Sequence, residues 1–347
     1  MIEQNKRIIA FDVMRIVAAY AVVFQHIVGQ NWNEVFPSAE WELRNIYVSF
    51  AQWSVPVFFM ISGALFLSPN KQVNIKRLLG KNLLRIVYAF LFWSTIYEIY
   101  SIGQDTSLKI AIISVMKGPP HFWFLKVMIG IYLFVPVLKS VVSNRQVFRY
   151  LVLFSFVTTF VISPFFEHVG LFNEQWMILM KDYYDGFGVV SLGSISYFVF
   201  GYYLYSSSFG KRVKYFIYLI GFIGLIGSII GTHFCSHYLG YTNGLFYDDM
   251  HPFVLLVAVA VFIFIKDHCN TYSPSVRRII IGLSNCSLGI FLVHPLFMFI
   301  MNDCFAINSS TSNPLFFIPF FATLIFFLSY LLVKVVSYIP YLKKTVV

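Results

Sequence analysis

Charge is scarce in this sequence. Asp, Glu, Lys and Arg make up 12% of its 347 residues, about half the share of an ordinary soluble chain. That scarcity excludes a protein whose whole surface meets water. Cysteine is scarce as well: Cys235, Cys269, Cys286 and Cys304 are scattered, with neither metal-type spacing nor a dense disulfide pattern. The reading is of four unbridged thiols and no metal. There is no Gly-x-Ser-x-Gly motif, so no nucleophile turn of the hydrolase kind is expected. No linker, repeat or low-complexity stretch divides the chain, which reads as a single domain over residues 1–347.

What is abundant is apolar. Hydrophobic residues are 59% of the chain, with 40 Phe and 22 Tyr, and the mean hydropathy is +0.75. A water-facing surface does not tolerate so many aromatics, so the main solvent partner is a lipid bilayer. The net charge of +10 comes with no nucleic-acid motif; it reads as the loop bias of a membrane protein, not as a surface for DNA or RNA. The first apolar run follows Lys6 and Arg7 as a signal peptide would. It contains Asp12 and Arg15 and lacks a small-residue cleavage site, so it is kept as a mature helix.

Runs long enough to cross hydrocarbon lie at 9–30, 46–67, 84–102, 122–140, 147–166, 188–206, 215–234, 251–265, 279–301 and 315–338. The expected fold is therefore all-α, a polytopic membrane protein of about ten transmembrane helices. An even count puts both termini on one side. With that side cytoplasmic, the basic residues sort correctly: Lys6 and Arg7, Lys71 to Arg85, Lys139 to Arg149, Lys211 to Lys214, Lys266 to Arg278, and Lys334 to Lys344 all fall inside. Arg44, Lys109, Lys117 and Lys181 fall outside, where most of the acids gather.

Ionisable residues within a span are costly and are functional candidates by default. The first helix carries Asp12, Arg15 and His26. Asp12 and Arg15, three apart, can pair. Arg15 and His26 are eleven apart, which returns to within roughly 20° on the helical wheel and separates them by about 16 Å along the axis. A line of polar groups on one face fits a cavity or pathway through a bundle. The bland counterpart is a snorkelling arginine and a histidine with an interhelical hydrogen bond.

Several blocks resemble, in order, the acyltransferase 3 family of membrane O-acyltransferases. They are Phe11-Asp12-Val13-Met14-Arg15 with His26, then Pro56-Val57-Phe58-Phe59-Met60-Ile61-Ser62-Gly63, then His121-Phe122-Trp123-Phe124-Leu125 with Pro136. Tyr197-Phe198-Val199-Phe200-Gly201 and Ser287-Leu288-Gly289-Ile290-Phe291-Leu292-Val293-His294-Pro295 complete the set. One block departs: where the family has an Arg-x-x-Arg motif before the third helix, Arg85 matches the second arginine but Asn82 stands for the first, beside Lys81.

The resemblance implies transfer of an acyl group, usually acetyl, from acyl-CoA to a hydroxyl of a cell-envelope glycan in a bacterial plasma membrane. It makes His26 the base, or a transient acyl carrier, because neutral imidazole suits proton abstraction near neutral pH. Arg15 would orient the pantetheine or pyrophosphate end of CoA, or fix a partner acid. The basic run Lys76, Arg77, Lys81 and Arg85 would hold the polyanionic nucleotide. His121 and Trp123 are candidates for acceptor binding, with two aromatic and acidic groups: Tyr183 and Asp185 with Asp182 and Tyr184, and Asp248 with Tyr247, Asp249 and His251. His294 keeps an open role beside Pro295, and no role is assigned to His168, His233, His237 or His268. A membrane transporter or exporter of a glycan or acylated precursor is the alternative function. The acyl group, the acceptor and the oligomeric state stay open.

Overall fold

The computed structural model describes residues 7–68, 74–101, 107–173, 175, 176, 178, 192–340 and 342–346. Every longer element in these residues is a helix. They are α1 (Ile9–Val28), α2 (Ala39–Ala51), α3 (Ser54–Phe66), α4 (Ile75–Ser101), α5 (Leu108–Lys117), α6 (Trp123–Ser143), α7 (Arg145–Leu171), α8 (Ser194–Ser206), α9 (Lys211–Leu239), α10 (Pro252–His268), α11 (Pro274–Phe305) and α12 (Pro314–Tyr338). Their starts are chemically marked. Ser38, Ser107, Asn144, Ser273 and Asn313 each accept a hydrogen bond from a backbone N–H of the first turn, and Pro opens α10, α11 and α12. These residues satisfy or remove donors that a helix start leaves unpaired.

Among the described residues nine helical stretches are long and apolar enough to cross a membrane. They correspond to nine of the ten expected runs. The remaining one, 188–206, is described as helix over α8, and its residues 188–191 lie outside the described ones. The second run begins earlier than expected: α2 leads into α3, and the pair covers Ala39–Phe66. Helix α5 was not expected; it exposes Leu108, Ile110, Ile112, Ile113 and Met116. The bundle also turns Phe216, Phe222, Phe316, Phe320 and Phe327 outward. That pattern is costly in water and ordinary against lipid tails. The chain is an all-α polytopic membrane protein.

Helix α1 is central, packing against α2, α3, α10, α11 and α12. The face where α1 begins is called the lower face below, and the face where it ends the upper. Helices α3 and α8 cross in near backbone contact at Gly63 and Gly201. A Cβ on Gly63 would overlap the backbone of Phe198, and one on Gly201 the backbone of Met60. Between apolar helices in lipid, small residues of this kind supply the close van der Waals packing. Gly221 and Gly224 do the same for α9 against α10, facing Ala260, Leu256 and Phe253.

On the upper face, a fully buried arginine ties three segments together. Arg44 on α2 donates to Glu40, to the carbonyls of Val28 and Gln30, and to the hydroxyls of Ser309 and Ser310. With its donors committed in this way, a charge in the interior becomes a clamp between the end of α1, α2 and the α11–α12 connection.

Candidate active site

Two cavities approach α1 from opposite faces. The lower one has a volume of about 630 Å³ and is lined by Arg7, Asp12, Arg15, Ser62, Arg85, Tyr132, Ser284 and Asn285 among others. Its polar wall is organised by Asp12, which is 1% exposed. Arg7 grips that carboxylate with two donors, Nε at 2.6 Å and Nη2 at 2.8 Å. Ser284 Oγ donates at 2.7 Å and Arg15 Nη1 at 3.3 Å. Arg7 also reaches Asn285 at 2.9 Å. The expected Asp12–Arg15 pair therefore exists, but Arg7 is the stronger partner. Asp12 acts as the post to which both guanidinium groups are tied, with Arg15 left on the cavity wall.

The upper cavity, about 410 Å³, is lined by Gln25, His26, Gly29, Trp32, Asn33, Val48, Gln52 and Tyr247. Both volumes fall in the range of small-molecule sites. The upper lining of amide and aromatic groups combines hydrogen-bonding edges with flat apolar faces. Gln25 is fixed by Ser54 of α3, whose hydroxyl donates to its Oε1 at 3.1 Å. Trp32 and Tyr247 meet edge to face at 5.7 Å.

Three imidazoles from three helical segments converge beneath this cavity. His26 of α1 lies 4.9 Å from His294 of α11 and 6.3 Å from His121, just before α6, between ring centroids; His121 and His294 are 5.9 Å apart. His26 Nδ1 is 2.8 Å from the Val22 carbonyl. A carbonyl oxygen only accepts, so Nδ1 carries the proton and Nε2 offers a lone pair. The Nε2 atoms of His121 and His294 are buried with no hydrogen-bond partner among the described residues. Buried polar atoms without partners are uncommon, and they mark places where a substrate or water completes the bonding.

A run of aromatic contacts links the lower cavity to the histidine cluster. Phe124 and Phe291 both line the lower cavity, 5.5 Å apart. Phe291 is also 6.2 Å from each of His121 and His294. The histidine end of α11 is held open by Tyr97 of α4. Its hydroxyl donates to the Leu292 carbonyl at 2.8 Å and accepts from the Leu296 N–H at 3.1 Å. An uninterrupted helix would pair those two groups directly. The inserted hydroxyl adjoins Pro295, which cannot donate, and such insertions are an established cause of local bending.

A family model described as an acyltransferase domain matches residues 8–334. The chain belongs to this acyltransferase family. The match takes in nearly all of the helices above, so the family resemblance of the sequence blocks holds along the length of the chain. No curated protein and no solved structure matches it. The acyltransferase thus has its histidine cluster, its upper cavity and all of the lower cavity's lining except Arg7 inside the matched region.

The expected site residues of this acyltransferase fall in different places. Arg15 and Arg85 line the lower cavity and His26 the upper. His121 joins the histidine cluster, but Trp123 lines neither cavity and packs 6.3 Å from Phe59. Lys76, Arg77 and Lys81 are exposed and lie outside the cavity lining, the first two just before the π-helical turn Leu78–Leu83 and Lys81 within it. Asp248 is exposed and caps its own turn, accepting from the Met250 N–H at 2.8 Å; it is the neighbouring Tyr247 that reaches the upper cavity. Tyr183 and Asp185 lie outside the described residues. Arg7, Ser284, Gln25, Gln52 and Trp32 were not singled out as site residues, and His294 was left with an open role. Of these, only His294 carried a signal, as an ionisable residue within a predicted span.

Proposed function

We propose that this membrane acyltransferase moves an acyl group, acetyl in the first instance, from acyl-CoA at the lower cavity to a hydroxyl of an envelope glycan at the upper cavity. The observation that carries the reading is the place of His26. It borders the upper cavity with a free Nε2 lone pair, and the rings of His294 and Phe291 connect it in turn to the cavity of Arg15 and Arg85. In this reading His26 Nε2 takes the proton of the acceptor hydroxyl. The hydroxyl oxygen bonds to the thioester carbonyl carbon, the C–S bond breaks, and the CoA sulfur leaves with the electron pair and picks up a proton. Positioned general bases contribute about 10²- to 10⁴-fold to such steps.

Arg15 and Arg85 suit the phosphates or polar pantetheine groups of the donor, with Lys76, Arg77 and Lys81 drawing the nucleotide to the mouth. Arg85 makes no hydrogen bond or ion pair among the described residues and is free for a ligand. The basic loops favour a cytoplasmic lower face, where acyl-CoA is available, and a bacterial plasma membrane accommodates this arrangement.

The deciding experiment incubates membranes carrying the protein with radiolabelled acetyl-CoA and follows label into the envelope glycan. Wild type should transfer label, and His26→Ala, at equal abundance, should transfer less than about one hundredth as much. Transfer unchanged by His26→Ala would remove the base from the mechanism. Paired cavities approaching α1 from opposite faces also fit a carrier of glycan, the second reading. Glycan crossing the membrane with no acyl transfer in either protein would favour it.

A further inference from the structure

We propose that Glu42, His233 and His237 form a divalent metal site on the upper face, with a donor set suited to Zn²⁺. His233 and His237 stand one turn apart on α9, so their rings lie on the same side of the helix, 4.5 Å between centroids. Glu42 of α2 comes from 191 positions away in the chain to meet His233. Its Oε1 is 2.8 Å from His233 Nδ1 and 3.0 Å from His237 Nε2. All three ligand atoms lie within 4.8 Å of one another.

The donor set is two imidazole nitrogens and one carboxylate oxygen, a combination that binds zinc at bond lengths of about 2.0–2.2 Å. In a tetrahedral arrangement such ligand atoms stand roughly 3.3 Å apart, so the two contacts to Glu42 widen by a few tenths of an ångström while the two nitrogens, within 4.8 Å of each other, settle toward the same separation. The charge also fits. Glu42 meets only these two histidines among the described side chains, while the neighbouring Arg44 is committed to Glu40 and to the clamp of the upper face. Neutral imidazoles leave the cluster with one negative charge for a dication. The three side chains are 37–41% exposed, which gives an ion a route in and leaves one coordination position to water.

The location gives the ion a task that does not depend on the acyl-transfer reading. His237 packs 5.2 Å from Phe36 and 5.9 Å from Trp41. Trp41 in turn packs 5.3 Å from Trp32, a wall of the upper cavity. A metal joining α2 to α9 fixes this aromatic wall. Without the ion the same residues form a hydrogen-bonded clasp, and the two states differ in how tightly the wall is held.

The test uses the full chain, freed of any polyhistidine tag, stripped with chelator and held in lipid nanodiscs. Zn²⁺ alone is titrated by calorimetry near neutral pH. Wild type should bind one ion per chain and melt at a higher temperature with the ion than without it. His237→Ala and Glu42→Gln should each weaken binding more than about tenfold, while His268→Ala, on another helix, leaves it unchanged. Absence of a stoichiometric site in wild type, or equal binding by the cluster variants, would overturn the proposal. Should the alanine variant not fold, His237→Cys supplies the second measurement. Co²⁺ at this site must then show a thiolate charge-transfer band, and its absence in folded protein also sinks the idea.

Discussion

His26 on α1 and His294 on α11 hold their imidazole rings edge to face, 4.9 Å apart, although 268 positions separate them in the chain. Only one of the two faces the upper cavity. His294 is fully buried, its Nδ1 is 3.2 Å from the Ile290 carbonyl, and its Nε2 has no partner among the described residues. Burying an unpaired nitrogen costs about 1–3 kcal/mol, so the fold tolerates His294 at a loss, as functional sites commonly do.

That loss can be measured. His294→Leu, similar in volume and apolar, removes the unpaired nitrogen. Its melting temperature in detergent should equal or exceed that of wild type, while acyl transfer falls at least about tenfold. A fall in both would mean that the imidazole is a structural element and its Nε2 has a partner.

The Tyr97 hydroxyl offers a finer probe. Tyr97→Phe keeps the ring against His121, 5.1 Å away, and deletes only the group inserted between Leu292 and Leu296. The helix can then close its own hydrogen bond, so stability should change by no more than about 1 kcal/mol. His294 moves with the helix. The expected result is a fall in kcat with little change in KM for acyl-CoA, since Tyr97 does not line the cavity proposed for the donor. A rise in KM alone would place Tyr97 outside the reacting centre.

How much of this was legible in the sequence depends on range. Arg15 and His26 lie on one continuous helix, so periodicity alone puts them on one face, and each does border a cavity. The apolar runs were legible for the same reason, because crossing hydrocarbon imposes a length on each helix by itself. The histidine cluster was not. It needs α1, α6 and α11 to pack in one particular order, and membrane helices carry little pattern that states which neighbours they choose. Glu42 with His233 and His237 was hidden in the same way. The lower cavity shows a third limit: Arg7 was read as a loop charge, yet it folds back five residues to grip Asp12.

Arg44 provides a test of stability apart from function. Arg44→Lys retains the charge but supplies a single ammonium group where the guanidinium makes six hydrogen bonds in a fixed fork. Several acceptors are left buried and unpaired, and breaking such a network costs about 3–5 kcal/mol. The variant should lose most of its folded yield or melt well below wild type in a thermal scan. Lys343→Arg, at an exposed position near the chain end, should leave the melting temperature unchanged. Equal melting of Arg44→Lys and wild type would show that the upper face is held by its apolar contacts alone.

Phe291 tests what the aromatic contacts beside the lower cavity do. Its ring lines the lower cavity and lies 6.2 Å from His294, so shortening it opens the proposed donor space toward the histidine cluster. If these contacts admit the thioester while keeping water away from it, Phe291→Ala should waste the donor. Acyl-CoA would be hydrolysed to free acid and CoA with no acceptor present, several-fold faster than in wild type, while labelled glycan declines. Deleting a buried phenyl ring also costs about 3–5 kcal/mol, so Phe291→Leu is the companion variant. It keeps most of the volume and should show the same leak to a smaller degree. Thiol release measured without acceptor separates the possibilities, because a merely destabilised enzyme loses both activities, whereas a breach at Phe291 raises one as the other falls.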